Sequence, residues 1–259
     1  MFDKKFVVIL VIIATFCFAG LVEAQFVTDG LVSYWPLDSS NVSGGTVRDI
    51  IGDNNGTISG DPQIVAGKIG EAMEFDGDGD FVNCGADASL NLTDAITIEL
   101  WMNSAVAGEG GPNVGPACKA QSGVDPWSWQ LRYNAPGGFM GFQFNADPGG
   151  STWISVQENL SPGQWYHIAG TLDGSDIVCY LNGAETERAA MTAISGGDSA
   201  FFIAQDGWDN AFNGIVDEVR IYDRALSSAE VQQNYDAELA AVLPMSKLST
   251  TWGNIKAEK

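Results

Sequence analysis

The chain reads as all-β, a sandwich or jelly roll of short strands. Three observations predict this. Apolar and polar residues alternate with a period of two in run after run from Leu31 onward. Each run stops at turn chemistry, and the runs recur every 8–15 residues or so, the rhythm of sandwiches and jelly rolls. Glycine is abundant (31 residues) while Lys and Arg together number only 12, a mix that suits many short strands joined by tight turns.

The elements come in order along the chain. Lys4 and Lys5 precede an almost wholly apolar run over residues 6–22, and Val22-Glu23-Ala24 fits the small-residue pattern at positions −3 and −1. This predicts a secretory signal peptide over residues 1–24, cut after Ala24, and a secreted, cell-surface or periplasmic protein. The run is short for a spanning helix, which needs about 20 apolar residues. The chain beyond Ala24 has the length of one β-sandwich and is enough to bury a full core. Residues 95–102 (AITIELWM) set Ile96, Ile98, Leu100 and Met102 on one face and Thr97, Glu99 and Trp101 on the other. Residues 127–134 (WSWQLRYN), 139–145, 152–157, 165–172 and 177–181 alternate likewise. Asp173-Gly174-Ser175 and Asn182-Gly183 are tight-turn signals, so the strands flanking them form a meander. One helix is expected. Ser227-Ser228-Ala229-Glu230 is a capping box, Leu226 is placed to staple onto Val231, and the helix runs through about Asp236. Residues 238–259 read as a C-terminal tail with no assignable role, polar from Met245 onward.

The formal net charge is −21. Nucleic acid is thereby excluded as a partner, because phosphate contacts need a basic face. The acidity serves solubility, and it also offers carboxylates to calcium, which takes oxygen ligands. Three cysteines lie beyond the signal segment: Cys84, Cys118 and Cys179. One disulfide with one leftover thiol is open in an oxidising compartment, and spacing favours no pair. No CxxC or His/Cys cluster supports zinc, and no glycine-rich phosphate loop supports a nucleotide cofactor.

Several segments, taken together and in order, resemble the laminin-G-like (concanavalin A-like) jelly-roll domains. They are residues 30–38 (GLVSYWPLD), 54–57 (NNGT), 67–77 (GKIGEAMEFDG), 80–82 (DFV), 96–101 (ITIELW), 163–171 (GQWYHIAGT), 180–183 (YLNG) and 214–227 (GIVDEVRIYDRALS). The likeness spans residues 30–237. It implies a two-sheet antiparallel jelly-roll sandwich with adjacent terminal strands and one short C-terminal helix. It also implies a non-catalytic extracellular module that binds glycan or a protein ligand, in some cases with calcium. The fold alone names no ligand, so function has to come from the site.

For calcium, the resemblance points to Asp217 in the last strand, with Asp38 at the end of the first strand and Asp76 as further ligands. The competing readings pair Asp217 with Arg220 or Arg224 and let Asp76 and Asp80 shape a turn. For a ligand, the aromatic residues in turn-rich segments stand out, since an indole stacks on the apolar face of a sugar. Trp208 leads, in a loop (QDGWDN) where Asp206 and Asn210 offer carboxylate and amide groups to hydroxyls, with Trp127 and Trp153 behind it. Catalysis is expected to be absent. Residues 74–78 (EFDGD) echo only part of the glucanase signature, lacking its last Glu, and a glycosidase needs two facing carboxylates. His167, the single histidine, lies mid-strand with no G-x-S-x-G nucleophile motif and reads as structural. Binding of glycan is the leading function. An adhesion protein that binds another protein, and a glycan-active hydrolase, are the alternatives.

Overall fold

The computed structural model describes residues 25–105, 114–121, 124–134, 139–146, 150–156, 160–192, 196–206 and 210–242. The proposed signal peptide (1–24) and residues 243–259 lie outside them. Along the chain run β1 (Leu31–Trp35), β2 (Val42–Ser43), β3 (Thr46–Val47), β4 (Gly56–Ser59), β5 (Gln63–Ala66), β6 (Glu71–Asp76), β7 (Phe81–Asn83), β8 (Ile96–Ser104), β9 (Val114–Gln121) and β10 (Val124–Asn134). Then come β11 (Phe139–Ala146), β12 (Gly150–Val156), β13 (Tyr166–Leu172), β14 (Asp176–Leu181), β15 (Ala184–Ala190), β16 (Phe201–Ile203), β17 (Asn213–Tyr222) and the helix α1 (Ser228–Val242).

Two antiparallel sheets result. One has eight strands in the order β15-β14-β13-β8-β17-β6-β5, with β1 also on β17. The other has nine, in the order β12-β11-β10-β9-β16-β7-β4-β3-β2. The expected meander is β13-β14-β15. The terminal strands are adjacent, as the resemblance implied: β1 pairs with the second half of β17, and β6 with its first half.

Alternation drives the packing. Ile96, Ile98, Leu100 and Met102 are fully buried between the sheets, where they meet Trp35, Phe75, Trp129, Phe201 and Phe212. Burying each such side chain contributes about 1.5–3 kcal/mol. The opposite face of β8 is buried too. There a second apolar cluster joins Val231 of α1 to Leu226, Ala169, Val178, Tyr180, Tyr222 and Val27. The helix and the segment before β1 therefore cover the outer face of the eight-stranded sheet.

The capping box forms as expected. Ser227 N donates to Glu230 Oε2 at 2.8 Å, and Glu230 N donates to Ser227 Oγ at 3.3 Å. Leu226 and Val231, the staple pair, are both buried in the second cluster. The helix continues to Val242, beyond the expected end near Asp236, so residues 238–242 of the segment read as tail are helical.

A bulge interrupts β17. Asp217 lies opposite Trp101 and Arg220 opposite Glu99, so β17 carries one more residue than β8 in this interval, and Glu218 takes φ +57°. Val216, Val219 and Ile221 all enter the core. An uninterrupted strand would put Val216 and Val219 on opposite faces. The extra residue restores the phase and keeps both acidic side chains out of the apolar core.

Candidate ligand-binding face

β10 places the first part of the site. Trp129 and Leu131 enter the core, so Ser128, Gln130 and Arg132 stand on the opposite face, all buried. Strand register carries this face across the sheet. Thr57, Asn83, Phe202, Cys118, Gln130, Gln143 and Trp153 form one cross-strand row, each opposite the next. Directly opposed residues share a face of a sheet.

The loop after β16 supplies the second part. Gln205 bridges to Ala211, and Asp206 N donates to Asn210 O at 3.2 Å. The Asp206 carboxylate accepts from Asn210 N at 3.2 Å and Nδ2 at 2.7 Å. Cys118 Sγ lies 3.4 Å from Asp206 O and 3.6 Å from Gln130 Oε1, which holds the loop against the outer face of β9 and β10. Burial pushes the Arg132 guanidinium down to about 10, against the Asp206 carboxylate and the Cys118 thiol, which act to raise it. A guanidinium, two amides and a carboxylate thus gather from segments some 75 residues apart. Donors and acceptors at this spacing suit a polyhydroxylated ligand.

Of the ligand residues expected from sequence, Asp206 and Asn210 come together in this loop. Trp153 shares the register row of Gln130, and Trp127 lies in β10 where its register with β9 shifts. Their side chains, and the whole of Trp208, lie outside what the structure describes. Gln130 and Arg132 were missed. Their signal was present in residues 127–134, where polar residues alternate with Trp129 and Leu131.

Of the three calcium candidates, Asp38 and Asp217 meet at one turn and Asp76 stands apart. Asp38 Oδ1 accepts from Glu71 N at 2.8 Å, and Asp217 Oδ2 accepts from Lys68 N at 2.8 Å and Ile69 N at 3.0 Å. Both carboxylates therefore brace the β5–β6 turn. Asp76 is at the far end of β6, five residues and about 16 Å along an extended strand from Glu71. Its Oδ1 accepts from Asp78 N at 2.7 Å, which is the turn-shaping role. Arg220 and Arg224 are engaged by other carboxylates, Glu99 and Glu218 for the first and Asp29 and Glu230 for the second. Asp217 is fully buried and its Oδ1 has no hydrogen-bond partner. Burial foremost, then the charge of Glu218, pushes its carboxyl up to about 8 against the two backbone N–H groups. Calcium requires six to eight oxygens at 2.3–2.6 Å. Among the described residues no group of three or more His, Cys, Asp and Glu could hold a metal. Asp38, Asp76 and Asp217 as placed do not fit a calcium shell.

A second polar assembly lies under α1. Glu99 is fully buried, and its Oε1 accepts from Asn234 Nδ2 (2.7 Å), Tyr222 OH (3.1 Å) and Arg220 Nη1 (3.3 Å). His167 Nε2 is 3.6 Å from Glu99 Oε2, and its ring stands edge-on to Trp101. Burial acts to raise the Glu99 carboxyl, but His167, Arg220 and Asn234 together hold it below its ordinary value. Arg220 also pairs with Glu218, which accepts from Tyr34 OH. Asn234 Oδ1 accepts from Val27 N at 2.7 Å, so the helix clasps the N-terminal segment. His167 is buried beside Glu99, Trp101 and Tyr235. Glu74 and Asp76, the partial glucanase echo, are both exposed on β6. Cys84, Cys118 and Cys179 are buried and not joined in disulfides, and burial pushes the Cys84 thiol up.

Comparison with known proteins adds to this geometry. Pappalysin-1 of Mus musculus is 25% identical over 209 residues, 71% of this chain and 12% of that protein, so the chain spans about an eighth of the relative's length. Domain 4 of AbnA, an extracellular arabinanase of Geobacillus stearothermophilus, solved in complex with arabinotriose, superposes with a TM-score of 0.64 at 22% identity, over 79% of this chain and 98% of that one. The binding domain of botulinum neurotoxin DC, solved with rat synaptotagmin II, superposes with a TM-score of 0.61 at 13% identity, over 81% of this chain and 52% of that one. Among the described residues no helix is long and apolar enough to cross a membrane. The family model for the concanavalin A-like lectin/glucanases superfamily matches residues 76–232, more than half of the 259, and the chain, with its two-sheet jelly roll, belongs to that superfamily.

Proposed function

We propose that this is a secreted, non-catalytic binding module that takes glycan on the outer face of the nine-stranded sheet. One observation carries the reading. Gln130, Arg132, Asp206 and Asn210 gather on the face turned away from the core. The complex of AbnA domain 4 with arabinotriose supports it by analogy of fold. Hydroxyls of a sugar would exchange hydrogen bonds with these side chains.

The test is a glycan array of the secreted protein followed by calorimetric titration of the best binder. Gln130→Ala is expected to weaken binding about 3–10-fold, the worth of one neutral hydrogen bond, with a thermal melt reporting that the variant folds. No binding across the array, or affinity unchanged in Gln130→Ala and Asp206→Ala, overturns the reading. Reducing ends released from a polysaccharide panel, and abolished by Glu74→Gln, would restore the hydrolase alternative.

A protein partner is the second reading, favoured by the turn before β4. Ile50 and Ile51 are 39% and 50% exposed. Asp49 fixes the turn by accepting from the N–H groups of Tyr34, Ile51, Gly52 and Asn54. Loss of partner binding in Ile50→Asn/Ile51→Asn, with glycan binding intact, would favour it.

A further inference from the structure

Among the described residues the sheet edges are guarded, with one exception. β15 carries Glu185, Glu187 and Arg188, and Ser228 Oγ of α1 reaches Glu185 Oε2 at 3.4 Å. β12 packs against β14 and β15 of the other sheet. β2 is two residues long. The free side of β1 is taken by the Asp49 turn, where Tyr34 N donates to Asp49 Oδ1 and Ile50 N donates to Tyr34 O. β5 differs. It reads Gln63-Ile64-Val65-Ala66, with no charge and no proline inside the strand, and it pairs with β6 alone. Gln63 and Ala66 are exposed, and the outward N–H and C=O groups of the strand have no backbone partner among the described residues. An unguarded edge is a template for a further strand.

The surface around this edge is acidic. Asp61 lies just before β5, and Glu71, Glu74 and Asp76 lie on β6. All four are exposed, and Glu74 is directly opposite Gln63 and Glu71 opposite Ala66. The complement is in the last stretch of the chain. Residues 243–259 (LPMSKLSTTWGNIKAEK) hold three lysines against one glutamate, in a chain of net charge −21. Leu248, Thr250 and Trp252 alternate there with Ser249 and Thr251, a period-two run rich in strand-forming residues.

The helix starts this stretch near β5. Tyr235 of α1 stacks on Trp101, with ring centroids 5.6 Å apart, and Lys68, two residues past β5, places its Nζ 4.4 Å from the centroid of the same ring system. From Tyr235 to the end of α1 at Val242 the helix rises about 10 Å, and residues 243–246 span up to about 14 Å when extended. Lys247 therefore comes within reach of the edge.

We propose that residues 247–252 add to β5 of the same chain as one more strand and close this edge. Lys247 and Lys256 bring cations to the carboxylates of Asp61, Glu71, Glu74 and Asp76. Main-chain hydrogen bonds give such an added strand its affinity, and the flanking side chains give it specificity.

Hydrogen exchange on the full chain tests this. The outward amides of residues 63–66 are expected to exchange about tenfold more slowly in the wild type than in Thr250→Pro, which removes a ladder donor from the added strand. Lys247→Glu with Lys256→Glu is expected to speed their exchange too, and Glu74→Lys added to that variant to slow it again. A thermal melt of each variant reports that it folds, and light scattering is expected to give a monomer throughout. Equal exchange at residues 63–66 in the wild type and Thr250→Pro overturns the proposal, as does protection that Thr250→Pro removes from another edge instead. A wild type that dimerises, with a Thr250→Pro variant that does not, overturns docking within one chain and assigns β5 to the tail of a second copy.

Discussion

The outer faces of the two sheets are both polar by alternation, and they end differently. On the eight-stranded sheet, Glu99, His167, Glu218, Arg220 and Tyr222 are covered by α1 and the segment before β1, and their hydrogen bonds run to one another. On the nine-stranded sheet, Gln130, Arg132 and Asp206 are gathered under a loop whose partner Asn210 is only half-buried. The first face holds charges in balance and closes the fold. The second holds Gln130, Arg132 and Asp206 buried beside a half-buried Asn210, and no helix lies over it among the described residues. A polar strand face is therefore not a site in itself, and what lies over it decides.

Breaking the balance of the closed face should give the largest effect. Arg220→Leu leaves Glu99 and Glu218 buried without their common cation, and such a broken pair costs about 3–5 kcal/mol. Chemical denaturation is expected to show a loss of that order. A loss under about 1 kcal/mol would mean that water reaches these carboxylates and that the two faces are less different than described.

Asn234→Ala is expected to come next, at about 1–3 kcal/mol, because it removes a donor to buried Glu99 and the acceptor for Val27 N. Hydrogen exchange should locate the effect. Protection is expected to fall at Val27 and along α1 while β9 and β10 are unchanged. An equal fall in both sheets would show that the clasp and the ligand face unfold as one unit.

The two faces also differ in how far the sequence disclosed them. The alternation in residues 95–102 correctly separates Ile98 and Leu100 from Glu99 and Trp101. It cannot report that Glu99 is buried, because its cover comes from Asn234, 135 positions later. The bulge at Asp217–Glu218 was equally hidden, since a single inserted residue leaves no periodic trace in a run as short as residues 214–222. Asp206 and Asn210 were legible from turn composition alone. Gln130 and Arg132 were legible as a face but not as neighbours of Asp206, because that depends on Cys118 of β9 meeting both Gln130 and Asp206 O. The three calcium candidates do not form one cluster. Asp38 and Asp217 do reach one turn, but both are engaged by its N–H groups, and Asp76 lies a strand's length away.

The smallest effect should sharpen the edge of the closed face, where Asp217 sits at the bulge. Its carboxyl is pushed up to about 8 in the folded protein, from an ordinary 3.8. The native state thus keeps a proton that the unfolded chain releases above about pH 4. Asp217 is then most favourable to the fold below that pH, and its contribution is lost as pH rises through about 8. Asn cannot ionise, and its amide oxygen can still accept from Lys68 N and Ile69 N. Its NH2 replaces a carboxyl O–H that already lacked a partner, so the exchange adds little new penalty. Asp217→Asn is expected to stabilise the protein by about 1 kcal/mol at pH 8 and by less at pH 5, read from melts across that range. Parallel curves for variant and wild type would show that Asp217 ionises normally in the fold. The same melts, run in EDTA and then in millimolar calcium, are expected to coincide within about 1 °C, because a cation that bound only the native state would have to raise the transition by mass action. A rise of several degrees in the wild type, absent from Asp217→Asn, would mean that a metal ionises this carboxylate, and the bulge would then belong to a cation site rather than to the closed face.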